Sequence, residues 1–165
     1  MTREKLLTGV RDRPRLTFLL KAISHATVLF SVVLYGILLY KTFSLEILMG
    51  VKTLAVSAAA FFIVSAVRML IDAPRPYEIY DIFPVPPKDR RGKSFPGRHA
   101  FSVFCVCTLA FPIFPILASV GAVLGVLLSV SRVLLGIHFI RDVVCGSVLG
   151  IISGVVGILT ASIPL

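Results

Sequence analysis

The sequence predicts an all-α fold: a polytopic membrane bundle of about five transmembrane helices, with a long loop between the second and third. Three observations carry this prediction. Hydrophobic residues make up 57% of the 165 residues and charged ones only 15%, against about 25% charged in a soluble domain. The uncharged runs reach the length of membrane spans. Six of the ten prolines and, counted from Arg68, 11 of the 25 charged residues are gathered in one loop. A mean hydropathy of +0.97 excludes an ordinary soluble domain, because that much apolar surface needs a bilayer as its solvent.

Residues 1–17 are basic and read as an N-terminal arm or interfacial helix; residues 18–165 read as a single membrane-embedded domain. Ala22 to Tyr40 is a 19-residue run between Lys21 and Lys41. It is as long as a span and lacks a small-residue cleavage site, so it reads as a helix rather than a signal peptide. Thr53 to Val67 is a 15-residue run that extends back through Leu45 if Lys52 snorkels. Ala100 to Ser131 is 32 residues without a Lys, Arg, Asp or Glu. A span needs about 20 residues, and Pro112 and Pro115 interrupt this run, so it divides into two helices. Val143 to Leu165 supplies the last. The expected spans lie near 18–41, 45–70, 98–112, 116–135 and 138–161.

The Asp72–Arg98 loop holds six of the ten prolines and cannot face lipid. Its Tyr77, Tyr80, Phe83 and Phe95 favour docking over disorder. Gly121, Gly125 and Ser129, and Gly146, Gly150 and Gly154, recur every four residues, which lets helix backbones approach closely. Three cysteines without CxxC spacing argue against a disulfide framework or zinc site. Three histidines without HxH or HxxxH spacing predict no metal, and no cofactor is expected.

Ionisable groups at span ends default to a functional reading. Arg68 and Arg75 flank the end of the second span, His99 opens the third, Arg132 closes the fourth, and His138 and Asp142 open the fifth. Alternating topology brings all six to one end of the bundle. Guanidinium forks pair with phosphate oxygens and stay charged. The turn Gly97-Arg98-His99 leads into a helix N-terminus, which also favours an anion. His138 and Asp142 are four apart, so the carboxylate can accept from one imidazole nitrogen and leave the other as a nucleophile. Taken alone, that pair would read as a helix cap, and His25 as a packing or interface histidine. His99, from another helix, is placed to protonate a leaving oxygen.

These residues resemble the type 2 phosphatidic acid phosphatase family, within the acid phosphatase and vanadium haloperoxidase superfamily, and its small bacterial members in particular. The family's motifs are K-x6-R-P, P-S-G-H and S-R-x5-H-x3-D. Here they stand as Arg68-x6-Arg75-Pro76, Pro96-Gly97-Arg98-His99 and Ser131-Arg132-x5-His138-x3-Asp142. The resemblance covers about residues 45–160. It implies that His138 is a nucleophile forming a phosphohistidine, that Asp142 orients it, and that His99 protonates the leaving group. Arg68, Arg75 and Arg132, with the Gly97-Arg98 turn, would bind phosphate without a metal. Two departures stand out: Arg68 replaces a lysine, and Gly97-Arg98 replaces Ser-Gly.

The function expected is a multi-pass membrane lipid phosphatase acting on phosphatidate, phosphatidylglycerol phosphate or a polyprenyl diphosphate. Its partners would be that lipid phosphate and membrane lipids. The alternative is a catalytically impaired protein that binds anionic lipid. A haloperoxidase fits poorly with five spans and no soluble domain. The net charge of +9 suits anionic lipids as well as nucleic acid, and no nucleic-acid partner is expected. Fifteen of 17 Lys+Arg fall on the active-site face, which places that face in the cytoplasm by the positive-inside rule. The family resemblance implies the outer face instead. The oligomeric state is left open.

Overall fold

The computed structural model describes residues 9–10, 12–80 and 92–163. Most of the expected N-terminal arm, and Phe83 with the basic cluster after it, lie outside these residues. The regular structure of the described residues is all helical, in six elements: α1 Pro14–Leu45, α2 Ile47–Ile71, α3 Pro76–Ile79, α4 Arg98–Ala110, α5 Pro115–Leu134 and α6 Ile140–Ala161. Proline stands at the start of α1, α3 and α5, where its fixed φ and missing N–H cost nothing. The second helix stops at Asp72, which takes a left-handed conformation with φ 41°.

Among the described residues, α1, α2, α5 and α6 are long and apolar enough to cross a membrane. The expected third span is different. With 13 residues, α4 reaches about 20 Å, short of the ~30 Å hydrocarbon core. It sits inside the bundle, packed on α1, α2, α5 and most extensively α6. Phe101, Val103 and Leu109 are buried. Protein rather than lipid covers this helix, so its length need not match the bilayer. By contrast, Phe62 is 71% and Leu70 85% exposed on α2, as lipid-facing residues of a span would be.

Both rows of small residues face α4. A Cβ at Gly146 would meet the carbonyl oxygen of Gly97, and one at Gly150 that of Phe101. Gly121 and Gly125 lie under Cys107 and Val103. The close approach of α6 to α4 is what brings Asp142 against the start of α4. The core continues through Leu34, Leu38, Val64, Ala118 and Ile158. Val10, from the arm, packs with Leu20, Leu135 and Ile137 at the end where α5 finishes and α6 begins.

Candidate active site

Four chain segments meet at one end of the bundle, where α2 and α5 finish and α4 and α6 begin. The Asp72–Arg98 loop is tied shut across its base. Ser94 N–H donates to the Ala73 carbonyl at 2.8 Å, Lys93 N–H to Asp72 Oδ1 at 3.1 Å, and Gly92 N–H to Glu78 Oε1 at 2.7 Å. Pro76 confines the preceding Arg75 to extended backbone, φ −97° and ψ 160°. The Arg75 side chain is buried, with Nε donating to the Gly92 carbonyl at 2.9 Å. Arg68, also buried, donates to the Pro96 carbonyl at 3.0 Å.

His138 lies in the turn between α5 and α6 rather than inside a helix. Gly136, at φ 69°, reverses the chain there, and the N–H groups of Ile137 and His138 return to the Arg132 carbonyl at 3.0 and 3.3 Å. Asp142 is fully buried in the first turn of α6. Its Oδ2 accepts from Phe139 N–H at 2.9 Å, so it does cap the helix. The imidazole Nδ1 of His138 is 3.6 Å from that same oxygen, too far for a direct hydrogen bond. Ser94 stands between them: its hydroxyl donates to Asp142 Oδ2 and lies 3.3 Å from His138 Nδ1. With the hydroxyl proton on Asp142, Ser94 Oγ can only accept from the ring. Nδ1 therefore carries the proton and Nε2 the lone pair.

Burial holds His138 below the usual histidine pKa, and the positive charges of Arg75 and Arg68 push the same way. The Asp142 carboxylate pulls against them without prevailing. The ring is thus neutral at neutral pH, and it feels the charge of two guanidinium groups. Such an arrangement can bind a phosphate and attack its phosphorus.

The remaining sequence-predicted residues divide. Arg132 borders a cavity of about 460 Å³ that His99 also lines. Gly97 N–H donates to the Asp142 carbonyl at 2.9 Å, which fixes α4 to α6. Arg98 lies with its guanidinium 5.9 Å from the Phe61 ring on α2. These two residues, the site of the departure from the family motif, thus join neighbouring helices. Sequence reasoning passed over Ser94. One signal was present: it is the sole Ser or Thr between Asp72 and Arg98. Lys21, Ser24 and His25 of α1 also line the cavity with His99.

Fold and site together define a multi-pass helical membrane protein with cationic side chains gathered at one end. The chain belongs to the PAP2 superfamily, whose family model matches residues 49–162. Among solved structures it is similar to the first transmembrane PAP2 type phosphatidylglycerolphosphate phosphatase from Bacillus subtilis. That match has a TM-score of 0.72 at 23% identity, over 94% of this chain and 82% of the other. It is similar also to Aquifex aeolicus LpxE, with a TM-score of 0.72 at 20% identity, over 94% of this chain and 92% of that one. No curated protein matches the sequence.

Proposed function

We propose that the chain is an integral membrane lipid phosphatase, acting on a phosphomonoester or diphosphate of a lipid through a phosphohistidine. The observation that carries this reading is the buried His138, tied through Ser94 to Asp142 beside Arg68 and Arg75. Membership of the PAP2 superfamily supports it. So does the fold shared with a Bacillus subtilis protein described as a phosphatidylglycerolphosphate phosphatase.

In this reading Arg68, Arg75 and Arg132 hold the phosphate oxygens. His138 Nε2 attacks phosphorus, and the bond to the leaving oxygen breaks as His99 protonates that oxygen. Water then attacks the phosphohistidine and gives its proton to His99, and phosphate departs with the imidazole restored. Guanidinium charge does the work that a metal ion does in other phosphatases. Residues 18–165 act as one domain; of the expected arm 1–17, residues 14–17 already belong to α1.

Phosphate release from phosphatidate, phosphatidylglycerol phosphate and a polyprenyl diphosphate tests this, with wild type and His138→Ala compared in the presence of EDTA. Release by wild type alone, undiminished by EDTA, is expected. Equal inactivity of both proteins on every lipid would sink the reading. One observation favours a second reading, an anionic-lipid binder of impaired turnover: the Gly97 N–H, where the family carries serine, is engaged by Asp142. Binding of these lipids without release would support it.

A further inference from the structure

The first helix lies outside residues 49–162 matched by the family model, yet it forms one wall of the cavity that holds His99 and Arg132. Six α1 residues line that wall: Lys21, Ser24, His25, Val28, Leu29 and Val32. Their spacing of three and four makes them one helical face. The face is polar at the site end and apolar toward the middle of the span, the same order as a headgroup and its tail.

Two atoms of this cavity point to a ligand. Ser24 Oγ and Arg132 Nε are buried and have no hydrogen-bond partner, and Ser24 is only 3% exposed. An unpaired buried polar atom is costly, so two lining one cavity are the mark of a polar group received there. The His25 ring is held by its Nδ1–H, which donates to the Lys21 carbonyl at 2.8 Å. Lys21 lines the same cavity and adds a cation. A hydroxyl, a guanidinium and an ammonium around a cavity match a phosphate group in chemistry.

We propose that Lys21 and Ser24, with Arg132, form a second phosphate subsite, and that Val28, Leu29 and Val32 guide the hydrocarbon chain. The preferred substrate is therefore a lipid carrying a second phosphate between the scissile one and the tail. This rests on the lipid-phosphatase reading: if His99 protonates the leaving oxygen, the leaving group lies on the side of His99, in this cavity. Arg132 then bridges the two phosphates. Lipid diphosphates and phosphatidylglycerol phosphate both carry the second group. Phosphatidate and isoprenyl monophosphates do not.

The test is binding, measured by calorimetry on the full chain in detergent with His138→Ala to prevent turnover. The probes are farnesyl diphosphate, dioctanoyl phosphatidylglycerol phosphate, farnesyl monophosphate and dioctanoyl phosphatidate. Adding Lys21→Met or Ser24→Ala is expected to lower the affinity ratio of two-phosphate to one-phosphate lipids about 10-fold. A loss confined to farnesyl diphosphate identifies the diphosphate as the source, and one confined to phosphatidylglycerol phosphate identifies that lipid. A ratio unchanged in both variants, whether all four lipids bind as before or weaken together, overturns the subsite. Phosphate release by the unsubstituted chain is measured in parallel. If it is absent while the binding ratio still falls, the phosphatase reading fails and the subsite stands.

Discussion

The Ser94 hydroxyl stands between His138 and Asp142, donating to the carboxylate Oδ2 and lying 3.3 Å from the imidazole Nδ1. The imidazole and the carboxylate are 3.6 Å apart and do not bond directly. Ser94 thus fixes which ring nitrogen is protonated. Replacing it by alanine removes an acceptor from the ring and a donor from a buried carboxylate. A hydrogen bond to a charged group contributes about 1.5–3 kcal/mol. The expected result for Ser94→Ala is a kcat on the order of 10- to 100-fold lower with KM little changed. Steady-state kinetics on the best lipid checks it, and a kcat close to wild type would remove Ser94 from the reaction.

The pH dependence follows from burial of His138 and from Arg75 and Arg68, which lower its pKa. Attack needs the neutral ring. The acid limb of kcat/KM, which reports the free enzyme, should therefore fall below the ordinary histidine pKa of about 6.5. A bound phosphate favours the imidazolium, so the limb of kcat should lie at higher pH than that of kcat/KM. An acid limb of kcat/KM above the ordinary value would contradict the placement of His138. The same shift bears on stability. The unfolded chain protonates His138 first as pH falls, so this residue's contribution is lost from about pH 6.5 downward.

Gly146 is predicted to be intolerant of any side chain. Its Cβ would press on the carbonyl oxygen of Gly97, which is backbone and cannot step aside. Gly146→Ala should cost about 1–3 kcal/mol by overpacking and should displace Gly97 from Asp142. Gly36 is the matched control, since a Cβ there meets nothing within 4 Å. Thermal unfolding in detergent should show a lowered Tm for Gly146→Ala and an equal or higher one for Gly36→Ala. Equal Tm values for the two variants would refute the close approach of α6 to α4.

Orientation is open to a direct test. By the alternation of spans read from the sequence, and without Arg68, Arg75, Arg98, Arg132 and Arg141, 10 Lys+Arg are expected toward the site end against 2 toward the other. Positive charge marks the cytoplasmic side, so that end is expected there. Arg141 is exposed beside the site and is a suitable labelling position. With the native cysteines replaced, Arg141→Cys should react with a membrane-impermeant maleimide only after the cells are opened. Labelling of intact cells would place the site outside, as the family resemblance implies.

Much of the fold was legible because hydropathy is a local property. The four long helices α1, α2, α5 and α6 follow from runs of apolar residues, and Pro115 marks the start of α5. The short α4 looked like a fifth span of the same kind. Hydropathy reports that a segment avoids water and does not distinguish a protein interior from lipid. The site divides in the same way. His138 and Asp142 were legible as a pair because four residues separate them. Ser94 was not, because it comes from 48 residues before Asp142 and reaches it only through the base of the loop.

By itself, then, the sequence determined an all-α membrane bundle and which chemical groups gather at one of its ends. Those follow from composition, spacing and the alternation of spans, which act along the chain. Tertiary structure decided that α4 is the protein-covered centre and that Ser94 mediates between His138 and Asp142. It also decided that α1 faces the cavity of His99 and Arg132 with Lys21 and Ser24. Each of these depends on the distance between segments remote in sequence. The glycine rows announce in the sequence that some helix will come close; that the partner of Gly146 is Gly97 at the start of α4 is decided only by the fold.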